Sequence, residues 1–128
     1  MKRSLLEIYA LSVCFVTVIS VSVLSGYALY NVVQVAAPEV TLGGYEYNAA
    51  QSNAAFRRTY HFNSKTDSAL SDEEITKRRQ DAYAKALSRE RRVGGQALLR
   101  QAIFILVGVV VFALHWKIAK RARQSVNT

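Results

Sequence analysis

The chain has one cysteine, Cys14, and it lies inside an apolar run. An internal disulfide is therefore excluded, and the thiol is expected to act as a small packing residue. Only two histidines occur, His61 and His115, each without a second imidazole or a thiol close by, so a zinc-type ligand set is excluded. Proline occurs once, at Pro38, and long helices are free to form on either side of it. Acidic residues number 9 against 17 lysines and arginines, for a formal charge of +8. Such an excess can signal nucleic acid. Here, however, Lys2, Arg3, Lys117, Lys120, Arg121 and Arg123 lie on short tails beside apolar runs, where cations record membrane orientation. No nucleic-acid partner is inferred. Also missing are HExxH, GxSxG, a P-loop and any acidic pair standing clear of balancing cations. No catalytic residue, cofactor, metal ligand or small-molecule substrate can be named, and an enzyme is not expected.

What the chain does have is long apolar runs. Hydrophobic residues make up 51% of it and concentrate in two stretches, Leu5 to Tyr30 and Leu98 to Trp116. As a helix rising about 1.5 Å per residue, the first reaches roughly 39 Å, more than a hydrocarbon core of about 30 Å requires. The second is less comfortable. Its uncharged centre, Ala102 to Leu114, needs Arg100 and Gln101 or His115 and Trp116 to reach spanning length, and Arg100 can extend its head to the interface. Roughly sixty residues remain outside the spans, marginal for a core of their own. A basic start before an apolar run also describes a secretory signal, but signal apolar regions run to about 7 to 15 residues, so this longer segment is expected to stay.

The expected fold is an all-α membrane protein, two transmembrane helices forming a hairpin around a polar, partly helical extramembrane segment whose long helix can run into the second span. The segments are a cytoplasmic tail at 1–4, a first span at 5–33 and an external loop at 34–69 with a short helix near 45–58. An amphipathic external helix at 70–95, a second span at 96–116 and a basic cytoplasmic tail at 117–128 follow. Within the first span, Ala10, Cys14, Val18, Ser22 and Gly26 recur every four residues. Ser22 and Gly26 make a small-x-x-x-small pair that lets helices approach closely in lipid. This row is a candidate packing face for the second span, a copy of the chain or a larger partner; ordinary apolar filling is the alternative. Glu7 is near enough to the membrane edge to be solvated. Tyr27 and Tyr30, with Asn31 and Gln34, mark the far interface.

In the polar segment, Tyr45, Ala49, Ser52 and Phe56 fall at helical spacing. Arg57, Arg58 and His61 alternate with aromatics as phosphate-binding surfaces do, although solvated charge beside interfacial rings accounts for them. Ser71 with Glu74 is a capping box and Leu70 with Ile75 a hydrophobic staple, so a helix starts here. Glu73 to Lys77, Glu74 to Arg78 and Asp81 to Lys85 are acid-before-base pairs four residues apart. The stripe of Ile75, Ala82, Ala86, Val93 and Ala97, flanked by Tyr83 and Leu87, is thin and mostly alanine, and suits contact with another helix. Gly94 and Gly95 are a candidate hinge before the second span, with a break between two helices as the alternative.

Tyr9-Ala10-Leu11, Gln51-Ser52-Asn53-Ala54-Ala55-Phe56-Arg57-Arg58, Leu70-Ser71-Asp72-Glu73-Glu74 and His115-Trp116 before a basic tail together give a chain that resembles small two-span bacterial proteins. The resemblance implies an inner-membrane location and carries no activity and no functional residues. With basic tails at both ends, both termini are expected in the cytoplasm. The expected function is that of an accessory or structural subunit binding a larger membrane complex or its own copies, in contact with membrane lipid. A homo-oligomeric, holin-like pore and a small membrane signal transducer are the alternatives.

Overall fold

The computed structural model of the chain describes residues 5–60 and 70–124. The expectations placed on 1–4, on His61 and on 125–128 lie outside them. Among the described residues the secondary structure is helical throughout, in five elements and without a strand: α1, Leu5–Ala36; α2, Pro38–Thr41; α3, Gly44–Ala50; α4, Asn53–Thr59; and α5, Asp72–Gln124.

Helix α1 stops where Pro38 forces it to. Ala37, the residue before the proline, takes φ −135° and ψ 67°, outside the helical region. Pro38 then serves at the first position of α2, where its missing amide costs nothing, and its ring is fully buried. The segment near 45–58 forms two helices. Between them Ser52 is extended at φ −157° and ψ 161°, and its hydroxyl accepts from the Ala55 amide at 3.1 Å to cap α4. At the start of α5 the Glu74 amide donates to Ser71 Oγ at 3.2 Å, and the Ser71 amide to Glu74 Oε2 at 3.4 Å, the reciprocal pair of a capping box. From there α5 runs unbroken through Gly94 and Gly95.

The apolar windows of α1 and α5 are long and apolar enough to cross a membrane, and only 11% and 6% of them is buried. A core helix of a water-soluble domain would show the opposite balance.

The chain divides into two compact units, Met1–Tyr30 with Ala97–Thr128, and Asn31–Gln96. In the first, side chains of α1 and α5 meet at several points. Arg123 Nε donates to Glu7 Oε1 at 3.1 Å, Tyr9 and His115 rings lie 6.0 Å apart, and Cys14 Sγ donates to the Phe112 carbonyl at 3.9 Å. A Cβ added to Gly108 would stand 2.7 Å from Val21 Cγ2. In the second unit, Ala49, Phe56 and Ile75 form a small core with Leu70 and Ala82 packed against it.

Candidate functional site

The small-residue row of α1 is divided by the packing of the first unit. Ala10 and Cys14 are buried, whereas Val18, Ser22 and Gly26 are exposed. The reason is angular: four residues turn a helix through about 400°, so a strict four-residue row drifts around it. Glu7, Cys14, Thr17 and Val21 of α1 meet α5, and with the buried Ala10 they alternate steps of three and four as a straight seam between helices does. Their counterpart is Gly108, whose missing side chain admits Val21. Gly26, by contrast, has nothing within 4 Å of an added Cβ. Thr17, Val18, Val21 and Ser22 border, with Gly108 and Phe112, an open groove of about 220 Å³.

The hydroxyls of this helix are turned inward on their own backbone. Ser12, Thr17, Ser20, Ser22 and Ser25 each donate to the carbonyl four residues earlier, at 2.8 to 2.9 Å. Their protons are used, and the surface they leave is compatible with lipid. Glu7, expected to be solvated, is 4% exposed and engaged by Arg123. His115 Nδ1 lies 2.8 Å from the Val111 carbonyl, and Arg100 is exposed.

In the second unit the thin stripe of α5 turns to its own lobe. Ile75 is fully buried, Ala82, Tyr83, Ala86 and Leu87 are half-buried, and Val93 is exposed. Gly94 is buried, and an added Cβ would stand 3.1 Å from Gln34 Cβ, Cγ and Oε1. Gln34 itself is buried and donates from Nε2 to Glu90 Oε1 at 2.9 Å. Gly95 faces open space. The two glycines thus differ in surroundings although they are adjacent in sequence.

A polar node joins α3, α4 and α5. Asn53 donates from Nδ2 to Thr76 Oγ1 at 2.8 Å and to the Asp72 carbonyl at 3.1 Å, and its Oδ1 accepts from Arg79 Nε at 3.1 Å. Arg79 also donates to the Ala50 carbonyl at the end of α3, the place where a cation meets the negative end of the helix dipole. Sequence reading passes over Asn53 and Arg79, because no local spacing joins them. An open depression of about 280 Å³ beside them is lined by Tyr47, Gln51, Arg79, Gln80 and Tyr83. It holds no convergent nucleophile and base. Among the described residues no group of three or more His, Cys, Asp or Glu is placed to hold a metal, and no buried side-chain nitrogen or oxygen lacks a partner. The ion pairs among them are Glu7–Arg123 and Arg57–Asp72, the latter at 3.3 Å. The acid-before-base pairs along α5 do not close, and Glu74 is occupied by the capping box.

Comparison with protein-family models, with curated proteins and with solved structures finds no match to this chain.

Proposed function

We propose that the protein is a two-span helical hairpin of a bacterial inner membrane and serves as an accessory or structural subunit. It packs a helical membrane partner against the exposed Val18, Ser22 and Gly26 face of α1, and presents α5 between 72 and 95 as an external contact surface. The observation that carries this reading is the contrast between two glycines: Gly108 is filled by Val21, and Gly26 is open. Close helix approach within the chain uses one glycine, and the small-residue face around the other remains free for a neighbour. Aromatic placement supports the membrane setting. Tyr9 and Tyr27, both exposed, are about 27 Å apart along α1 at its rise per residue, close to the thickness of a hydrocarbon core. The basic tail after Trp116 supports cytoplasmic termini.

The pore alternative draws on the Ser and Thr face of α1, and each hydroxyl proton there is already given to the helix itself. The transducer alternative draws on a joint at Gly94 and Gly95, where α5 is continuous. The test is native electrophoresis of the full chain, tagged at its C-terminus and extracted in mild detergent. The expected result is migration in a larger assembly that Gly26→Leu disperses and Gly95→Ala leaves intact. Migration of the unaltered chain as a free monomer would overturn the proposal.

A further inference from the structure

Charge in the first unit is left unbalanced at one end of α5. Its described residues contain a single acid, Glu7, and that carboxylate is engaged by Arg123 at 3.1 Å. Lys117, Lys120 and Arg121 are all exposed and have no acidic partner within salt-bridge distance among the described residues. They stand at i, i+3 and i+4, which places them on one ridge of the helix. Ala119 and Ala122, each 5% exposed, lie on the opposite, packed side. The cations therefore lie on the side away from Ala119 and Ala122, and no described residue of the unit supplies their counter-charge.

Building on the membrane reading above, we propose that Lys117, Lys120 and Arg121 form a binding face for the phosphate headgroups of acidic phospholipids. The adjoining residues select lipid over a free anion. Trp116 is 45% exposed, stacks on Phe112 with 5.9 Å between ring centroids, and immediately precedes the basic ridge at the end of the apolar run. An indole seats at the headgroup level while its apolar neighbours remain in the acyl region. A headgroup held by the ridge keeps its acyl chains beside that ring, whereas a soluble phosphate gains nothing from it. Clustered cations just beyond a span attract acidic lipid in this way.

Trp116 is the only tryptophan in the chain, so its fluorescence reports from the site itself. The full chain is reconstituted in phosphatidylcholine vesicles with roughly one fifth phosphatidylglycerol, the acyl chains of one lipid or the other being brominated to quench nearby indole. The expected result is enrichment of phosphatidylglycerol around Trp116 by at least about twofold over its mole fraction, weakened in about 0.5 M salt. Lys117→Gln with Lys120→Gln and Arg121→Gln should return it to the mole fraction. Lys77→Gln with Lys85→Gln should leave the enrichment in place. Quenching by brominated phosphatidylcholine in the triple variant checks that it is still inserted. Quenching in proportion to mole fraction in the unaltered chain, or enrichment that survives the triple change in inserted protein, would overturn the proposal. Absence of quenching by either brominated lipid would instead overturn the membrane reading on which it rests.

Discussion

Arg123 and Glu7, 116 residues apart in sequence, meet at 3.1 Å with unequal exposure: the Glu7 side chain is 6% accessible and the Arg123 side chain 61%. The inequality makes the two ends of the pair respond differently to truncation. Arg123→Ala strands a buried carboxylate, which costs about 1–3 kcal/mol. Glu7→Gln leaves an accessible cation that water can solvate, and should cost less than about 1 kcal/mol. Unfolding of the two variants in mixed detergent and SDS, followed by circular dichroism, should rank Arg123→Ala as the weaker protein. Equal losses would mean that the pair is as solvated as a surface salt bridge.

Gly94 and Gly95 separate hinge from packing. An Ala at 95 meets nothing and should gain helix propensity of up to about 1 kcal/mol. An Ala at 94 meets Gln34 at 3.1 Å through three atoms, one of them Cβ. That atom moves only with the α1 backbone, and the shift would disturb the Gln34 bond to Glu90. Gly94→Ala should therefore lose about 1–3 kcal/mol through overpacking. Thermal unfolding in detergent measures both, and a gain at 94 equal to that at 95 would show that Gln34 moves aside freely.

These two glycines also show how far the chain could be read before its structure. What is local was legible: the stop at Pro38, the capping box at Ser71 and the two apolar helices each rest on neighbouring residues whose chemistry dictates a conformation. Two neighbouring glycines read alike in a sequence, because what distinguishes them is Gln34, which belongs to another helix. Asn53 with Arg79 and Glu7 with Arg123 were hidden for the same reason. On α1 the pattern of small residues was visible, but its division was not. Whether Val18 shares a face with Cys14 depends on the three-and-four alternation that a neighbouring helix imposes. Tyr45, Ala49, Ser52 and Phe56 share a spacing that suggests one helix where α3 and α4 are two. The extended backbone of Ser52 interrupts them, and Ser is as ready to cap a helix as to sit on its surface.

Gly108 gives a third test, set against Gly26. A Cβ at 108 would stand 2.7 Å from Val21 Cγ2 and 3.7 Å from Thr17 Cγ2, so Gly108→Ala should destabilise the α1–α5 contact by about 1–3 kcal/mol. Gly26→Ala meets nothing and should leave the isolated chain as stable as before or slightly more so. Disulfide trapping reads the contact directly. Cysteines placed at Val18 and Val109, which border the same groove, in a chain carrying Cys14→Ala should cross-link more slowly when Gly108→Ala is added and at an unchanged rate with Gly26→Ala. Equal rates in all three would place the close approach elsewhere.

The small lobe of the second unit depends on few side chains, and Ile75 is the most deeply buried of its core, with no exposed surface. Ile75→Ala removes the α5 side chain at the centre of the apolar contact with α3 and α4, a loss of about 2–5 kcal/mol in a well-packed core. A core of Ala49, Phe56 and Ile75 has little stability to spare. Arg79→Met should act in the same region by a different route, freeing the Ala50 carbonyl and Asn53 Oδ1 at a cost of about 1–3 kcal/mol. Hydrogen exchange followed by mass spectrometry should then show amides between 44 and 60 losing protection in both variants, more in Ile75→Ala. Amides of the first unit, between 10 and 26 and between 102 and 116, should keep theirs, since none of the altered contacts reaches them. Retained protection across α3 and α4 in Ile75→Ala would show that the ring contacts of Phe56 with Tyr60, at 4.7 Å, and of Tyr45 with Tyr60, at 5.9 Å, hold the two short helices together without α5.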